Sequence, residues 1–115
     1  MSKNVTVHIG TAEDMGNRFI DAWHRAEGGA AVDEAHLTFL DLESLLATLT
    51  PKRLQLLRYV RHHDVGTIKA LADELQRDYK NVHRDVEALA RLGLIARTPA
   101  GVKTPFAEVD ARLVL

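Results

Sequence analysis

At 115 residues, 46% of them hydrophobic and 27% charged, the chain has the size and balance of one globular domain with a short extension. Cysteine is absent, which excludes disulfide staples and thiolate metal sites, and no apolar run reaches the roughly 20 residues of a membrane span. The net charge of −1 hides a division. Residues 1–50 set three Lys or Arg against eight acids, whereas residues 51–103 set eleven against six. A basic half beside an acidic half points to a polyanionic partner, or to two halves that neutralise each other within one fold.

In chain order, Val5, Val7 and Ile9 alternate with Thr6 and His8, the period of a half-buried strand. Nothing in "MSKNVTVHIG" resembles the apolar core of a signal peptide, so a cytoplasmic location is expected. Thr11, with Asp14 three residues on, predicts a helix start, and Met15, Phe19, Trp23 and Ala26 recur at helical spacing until Gly28–Gly29. That stripe fits core, within one chain or across a dimer, better than an exposed docking face. A short strand is predicted from Leu37 to Leu40. Asp41 then caps a short helix carrying Leu42, Leu45, Leu46 and Leu49.

Thr50 followed by Pro51 is the clearest helix start in the chain, with Leu54, Leu57 and Val60 facing inward and Leu56 beside them. Gly66 breaks the chain, and Thr67 caps a helix carrying Ile68, Leu71, Ala72 and Leu75. Gln76 and Arg77 alone separate it from Asp78, the cap of the next helix. Pro99–Ala100–Gly101 turns a hairpin that Leu94–Arg97 enter and Val102–Thr104 leave. The tail alternates again, with Val109, Ala111, Leu113 and Leu115 on one face.

Helix, helix, tight turn, helix, hairpin is the order of a winged helix-turn-helix. On a wheel of about 100° per residue, Val82, Val86 and Leu89 of the third helix cluster, and Lys80, Arg84 and Arg91 lie opposite. Asn81 borders that cationic stripe on one side and His83 on the other, while Tyr79 sits at the helix start. Arg can grip guanine as a fork and Asn can do so with adenine, and Lys supplies charge. Arg97 and Lys103 flank the hairpin tip, and Thr67 and Lys69 begin the preceding helix, where they could meet phosphate. The expected DNA-binding set is therefore Thr67, Lys69, Tyr79, Lys80, Asn81, His83, Arg84, Arg91, Arg97 and Lys103.

The stretches "LTPKRL", "RDYKNVHRDV" and "LGLI" resemble the MarR-like winged-helix transcriptional regulators of bacteria and archaea described as antitoxin-like. The "VTVHIG" strand, the acidic "DAWHRAE" and a short strand before "LTPKR" fit as well, so the resemblance spans nearly the whole chain. The general pattern is shared by many regulators; "RDYKNVHRDV" is more specific. The resemblance implies sequence-specific binding to double-stranded DNA as a homodimer, and suggests a cognate toxin protein encoded next door. The hairpin departs from the family in being short and bounded by Pro99 and Pro105.

The expected fold is α+β, mainly α: a winged helix-turn-helix over residues 50–104, with residues 1–49 and 105–115 as a small α/β appendage serving as dimer or partner surface. Two terminal apolar strands with open edges favour such pairing. No catalytic residue, cofactor or metal site is expected. The chain lacks nucleophile motifs and phosphate loops, and its six histidines show no ligand spacing. His62 and His63 read as the cationic end of a helix. The alternative is a winged helix that binds a partner protein and no DNA. An RNA binder is disfavoured because Tyr79 is the only candidate for a stacking platform.

Overall fold

The computed structural model describes residues 3–10, 20 and 35–112. Its elements run β1 (Lys3–Ile9), β2 (Ala35–Phe39), α1 (Leu42–Thr48), α2 (Pro51–His62), α3 (Ile68–Leu75), α4 (Tyr79–Arg91), β3 (Ala96–Thr98), β4 (Gly101–Lys103) and β5 (Phe106–Arg112). They fall into two compact units, Lys3–Ala47 with Glu108–Leu115, and Thr48–Ala107. The helix expected after Thr11, its aromatic stripe and the last tail residues lie outside the described residues.

The first unit is a three-stranded sheet in the order β2-β1-β5, with β1 and β2 parallel from Val5↔Ala35 to Ile9↔Phe39. Val5 and Val7 are buried, and so is His8, which points to the opposite face from Val7. β1 is therefore a central strand covered on both faces at that point, where its alternation suggested one wet face. His8 Nε2 and the Nδ1 of His36 on β2 lie 2.8 Å apart. The strand predicted to start at Leu37 begins two residues earlier. Asp41 caps α1 as expected, accepting from the Ser44 amide at 2.7 Å, which together with the Ser44 hydroxyl holds its carboxyl below the usual carboxylate range. No residue of α1 itself is buried.

In the second unit, the Thr50 hydroxyl accepts from the Arg53 amide at 3.3 Å and starts α2 behind Pro51. Its inward stripe is turned from the expected one: Leu56, Leu57 and Val60 are buried, while Leu54 is 38% exposed. α2 ends at His62. The His63 ring stacks on Tyr59 with centroids 4.0 Å apart, and its Nδ1 meets the Tyr59 carbonyl oxygen. Thr67 caps α3, which buries Ile68, Leu71 and Ala72. α4 buries Val82, Val86 and Leu89 completely and ends at Arg91; Leu92 is its C-cap, and Gly93 follows with a φ of 78° that suits glycine.

β3 and β4 form a two-residue hairpin around Pro99–Ala100, so Gly101 opens the return strand where it was expected in the turn. Val102 donates to the Val65 carbonyl at 2.9 Å, an isolated antiparallel bridge that fixes the hairpin root against the segment before α3. Gly101 has φ 127°, and a Cβ there would overlap the Val65 carbonyl oxygen. The buried Thr104 hydroxyl donates to the Leu94 carbonyl at 2.7 Å and secures the hairpin's exit.

The expectation of a mainly α winged helix-turn-helix with terminal strands as an appendage is overturned. The chain is a small α/β protein whose five strands and four helices, among the described residues, include a parallel β pair in a sheet of its own. The physical reason is that parallel strands pair across a long crossover. Alternation in β1 shows which residues turn inward and carries no trace of the partner strand 30 residues away. The two terminal strands meet within one chain: β1 lies between β2 and β5, and β2 and β5 are the outer strands of that sheet among the described residues. No described helix is long and apolar enough to cross a membrane.

Candidate nucleic-acid interface

α3 and α4 are joined by three residues, and each of the three is held. Gln76 takes the left-handed conformation, φ 52°, ψ 48°, and its amide donates back to Ala72 and Asp73 carbonyls. The Arg77 amide donates to the Ala72 carbonyl at 3.0 Å. The Asp78 carboxylate accepts from the Asn81 amide at 3.3 Å and opens α4.

With Val82, Val86 and Leu89 buried, helix geometry turns the opposite stripe outward. Lys80, Asn81 and Arg84 are exposed in its first two turns, and no side-chain partner holds any of them among the described residues. Tyr79 is exposed, with its ring 5.7 Å from that of His83. His83 Nδ1 and Arg91 Nη2 both approach Glu87, at 3.5 and 3.9 Å, so the charge of Arg91 is partly answered within the helix. Arg91 is 80% exposed and sits in the last turn.

The expected residues gather in separate shallow depressions. Thr67, Lys69, Tyr79 and Arg97 line one, at the start of α3 and beside the hairpin. Thr67 is committed there: its hydroxyl accepts from the Ala70 amide at 3.0 Å, which leaves the exposed Lys69 as the cation of that helix start. Asn81 and Arg84 line another together with Lys52, Arg53, Arg77 and Asp85. Tyr79, Lys80, His83 and Arg84 share a third with Glu87. Lys103, exposed on β4, lines none of the three.

Sequence reasoning overlooked the group at the centre of the second depression. Asp85 Oδ1 accepts from Arg53 Nε at 3.0 Å and its Oδ2 from Arg77 Nη2 at 2.7 Å. Arg53 Nη1 also donates to the Thr48 carbonyl at 2.8 Å. Two of the eleven cations in residues 51–103 are thus absorbed by one carboxylate. The available signal was an acid set beside Arg84 in an otherwise cationic or neutral turn of α4. Histidine spacing failed in a similar way, because His8 and His36 meet across strands. Among the described residues no cluster of three or more His, Asp or Glu could hold a metal.

The HVO_A0114 family model matches residues 48–112. No curated protein and no solved structure matches the chain.

Proposed function

The chain belongs to the HVO_A0114 family through residues 48–112, and for that stretch we propose sequence-specific binding of double-stranded DNA in transcriptional regulation. The observation that carries the reading is the outer face of α4. Lys80, Asn81 and Arg84 stand unpartnered among the described residues, near the helix start and opposite three side chains with no exposure. A helix that enters the major groove reads bases mainly from its N-terminal half. An Arg fork and an Asn amide supply the matching donors and acceptors. Lys69, Arg97 and Lys103, all exposed, lie where they can meet phosphate and set position without reading sequence.

The resemblance of "RDYKNVHRDV" to antitoxin-like regulators supports the same reading and adds a homodimer and a toxin partner to it. A dimer would present two such helices about 34 Å apart on one face of the duplex. Light scattering tests it, and a monomer would leave binding to a single site.

The central test is a fluorescence titration with the chain's own upstream DNA and a scrambled duplex. Affinity should fall by orders of magnitude between about 50 and 200 mM salt. Arg84→Ala should cost about 1–3 kcal/mol on the specific site and much less on scrambled DNA. Lys103→Ala should weaken both by a similar factor. Equal loss on both duplexes for Arg84→Ala would make Arg84 a backbone contact. Absence of binding at low salt would favour a surface that takes a protein partner.

A further inference from the structure

We infer that Asp85 withholds Arg53 and Arg77 from the DNA phosphates and so limits how tightly the protein holds DNA of any sequence. The inference rests on the DNA reading above and concerns groups that the reading does not use. Arg53, Arg77, Asn81, Arg84 and Lys52 line one depression, so two additional guanidinium groups stand beside the base-reading side chains. Both are turned inward. The side chains of Arg53, Arg77 and Asp85 are 18%, 15% and 13% exposed. Each carboxylate oxygen takes one guanidinium, the first from α2 and the second from the turn before α4. One negative charge thus holds two positive ones, and Arg77 Nη1 is buried without a hydrogen-bond partner. The cluster carries a net positive charge and is held by a single acid.

Arginine is a long, permanently charged side chain whose fork fits phosphate as well as carboxylate. With the acid gone, both guanidiniums gain by reaching solvent or phosphate. Phosphate contacts raise affinity for every sequence alike. They therefore raise specific and random binding by a similar factor and steepen the salt dependence of both. Asp85 keeps the interface from being too cationic at the place where it reads bases.

Asp85→Asn preserves shape and removes the charge. On the scrambled duplex its affinity at low salt should rise, and the slope of log K against log salt should steepen by about 1–2, one unit for each phosphate gained. Upstream affinity should rise by a similar factor, so the ratio of upstream to scrambled affinity should stay close to that of the unaltered protein. A purely structural role would lower the melting temperature and weaken both duplexes, and would not steepen the slope. An unchanged or shallower slope in a folded Asp85→Asn protein overturns the inference and leaves the DNA reading intact.

Should the single variant fail to fold, the combined change Arg53→Met, Arg77→Met and Asp85→Leu decides. It replaces the ionic cluster with apolar side chains, a swap that cores often tolerate. Its salt slope should equal that of the unaltered protein. A slope shallower by about 1 or more would mean that these arginines already touch phosphate, and would overturn the inference. If the unaltered protein binds neither duplex at low salt, the DNA reading fails and the inference falls with it.

Discussion

The described residues of the two compact units make different kinds of contact. In Thr48–Ala107, α2, α3 and α4 meet through Leu56, Leu71, Val82, Val86, Leu89 and Leu94, each essentially without exposure. In the sheet unit, the buried apolar side chains among the described residues are Val5, Val7 and Phe39, and His8 is also buried. The helical unit is secured by interlocking side chains from elements close in sequence. In the sheet unit, the described residues include backbone pairing between strands some 30 residues apart. Its one described helix, α1, buries nothing. What the contrast teaches is that the proposed reading surface rests on a unit whose described core comes from elements close in sequence.

The sharpest way to break this contrast is to cut into both cores. Leu89→Ala should destabilise the protein by about 2–5 kcal/mol, as deletion of a fully buried leucine does. Urea titration followed by circular dichroism measures it. A cost under about 1 kcal/mol would mean that the helical core relaxes freely, contrary to the packing described. Gly101→Ala comes next. It places a Cβ on the Val65 carbonyl at a backbone angle that alanine rarely adopts. Strain of about 1–3 kcal/mol should add to loss of the Val65–Val102 bridge. Amide exchange at Val102 should accelerate; retained protection would show that the hairpin root is not fixed there.

Val7→Ala, in the centre of the sheet, removes two buried carbons and should cost about 2 kcal/mol by the same titration. A loss matching or exceeding that of Leu89→Ala would reverse the comparison. The smallest effect is on α1. Asp41, whose carboxyl is held below its ordinary value first by the Ser44 amide and then by its hydroxyl, favours the folded form above the unfolded carboxyl pKa. That contribution disappears as pH falls through the lower folded value. Amide protection in α1 should drop in that acid window, and Asp41→Ala should abolish the pH dependence. Protection that is flat with pH in the unaltered protein would show that the cap does not support the helix.

The same contrast explains what the amino-acid order revealed. Caps at Thr50, Thr67 and Asp78 and the stripe of Val82, Val86 and Leu89 were legible because each depends on residues within a turn or two. The inward rotation of Leu56 in place of Leu54 was not, since both are leucine and only the neighbouring helices decide between them. The parallel pairing of β1 with β2 was also hidden, and with it the meeting of His8 and His36, because register between distant strands leaves no local mark. For the site, the exposed positions of Lys80, Asn81 and Arg84 followed from the wheel. The capture of Arg53 and Arg77 by Asp85 did not, because it joins α2, the turn and α4 in space.

The turn between α3 and α4 has a mechanical consequence. Gln76 and Arg77 are anchored to carbonyls of α3, the Arg77 side chain to α4, and Asp78 to the amide of Asn81. No residue of the three is left as a pivot, so the angle between the helices has little compliance. On the DNA reading, a mismatch in curvature between protein and duplex must then be absorbed by the duplex. Base steps that α4 never touches would influence affinity through their stiffness, with flexible pyrimidine–purine steps favoured wherever the groove must open or bend.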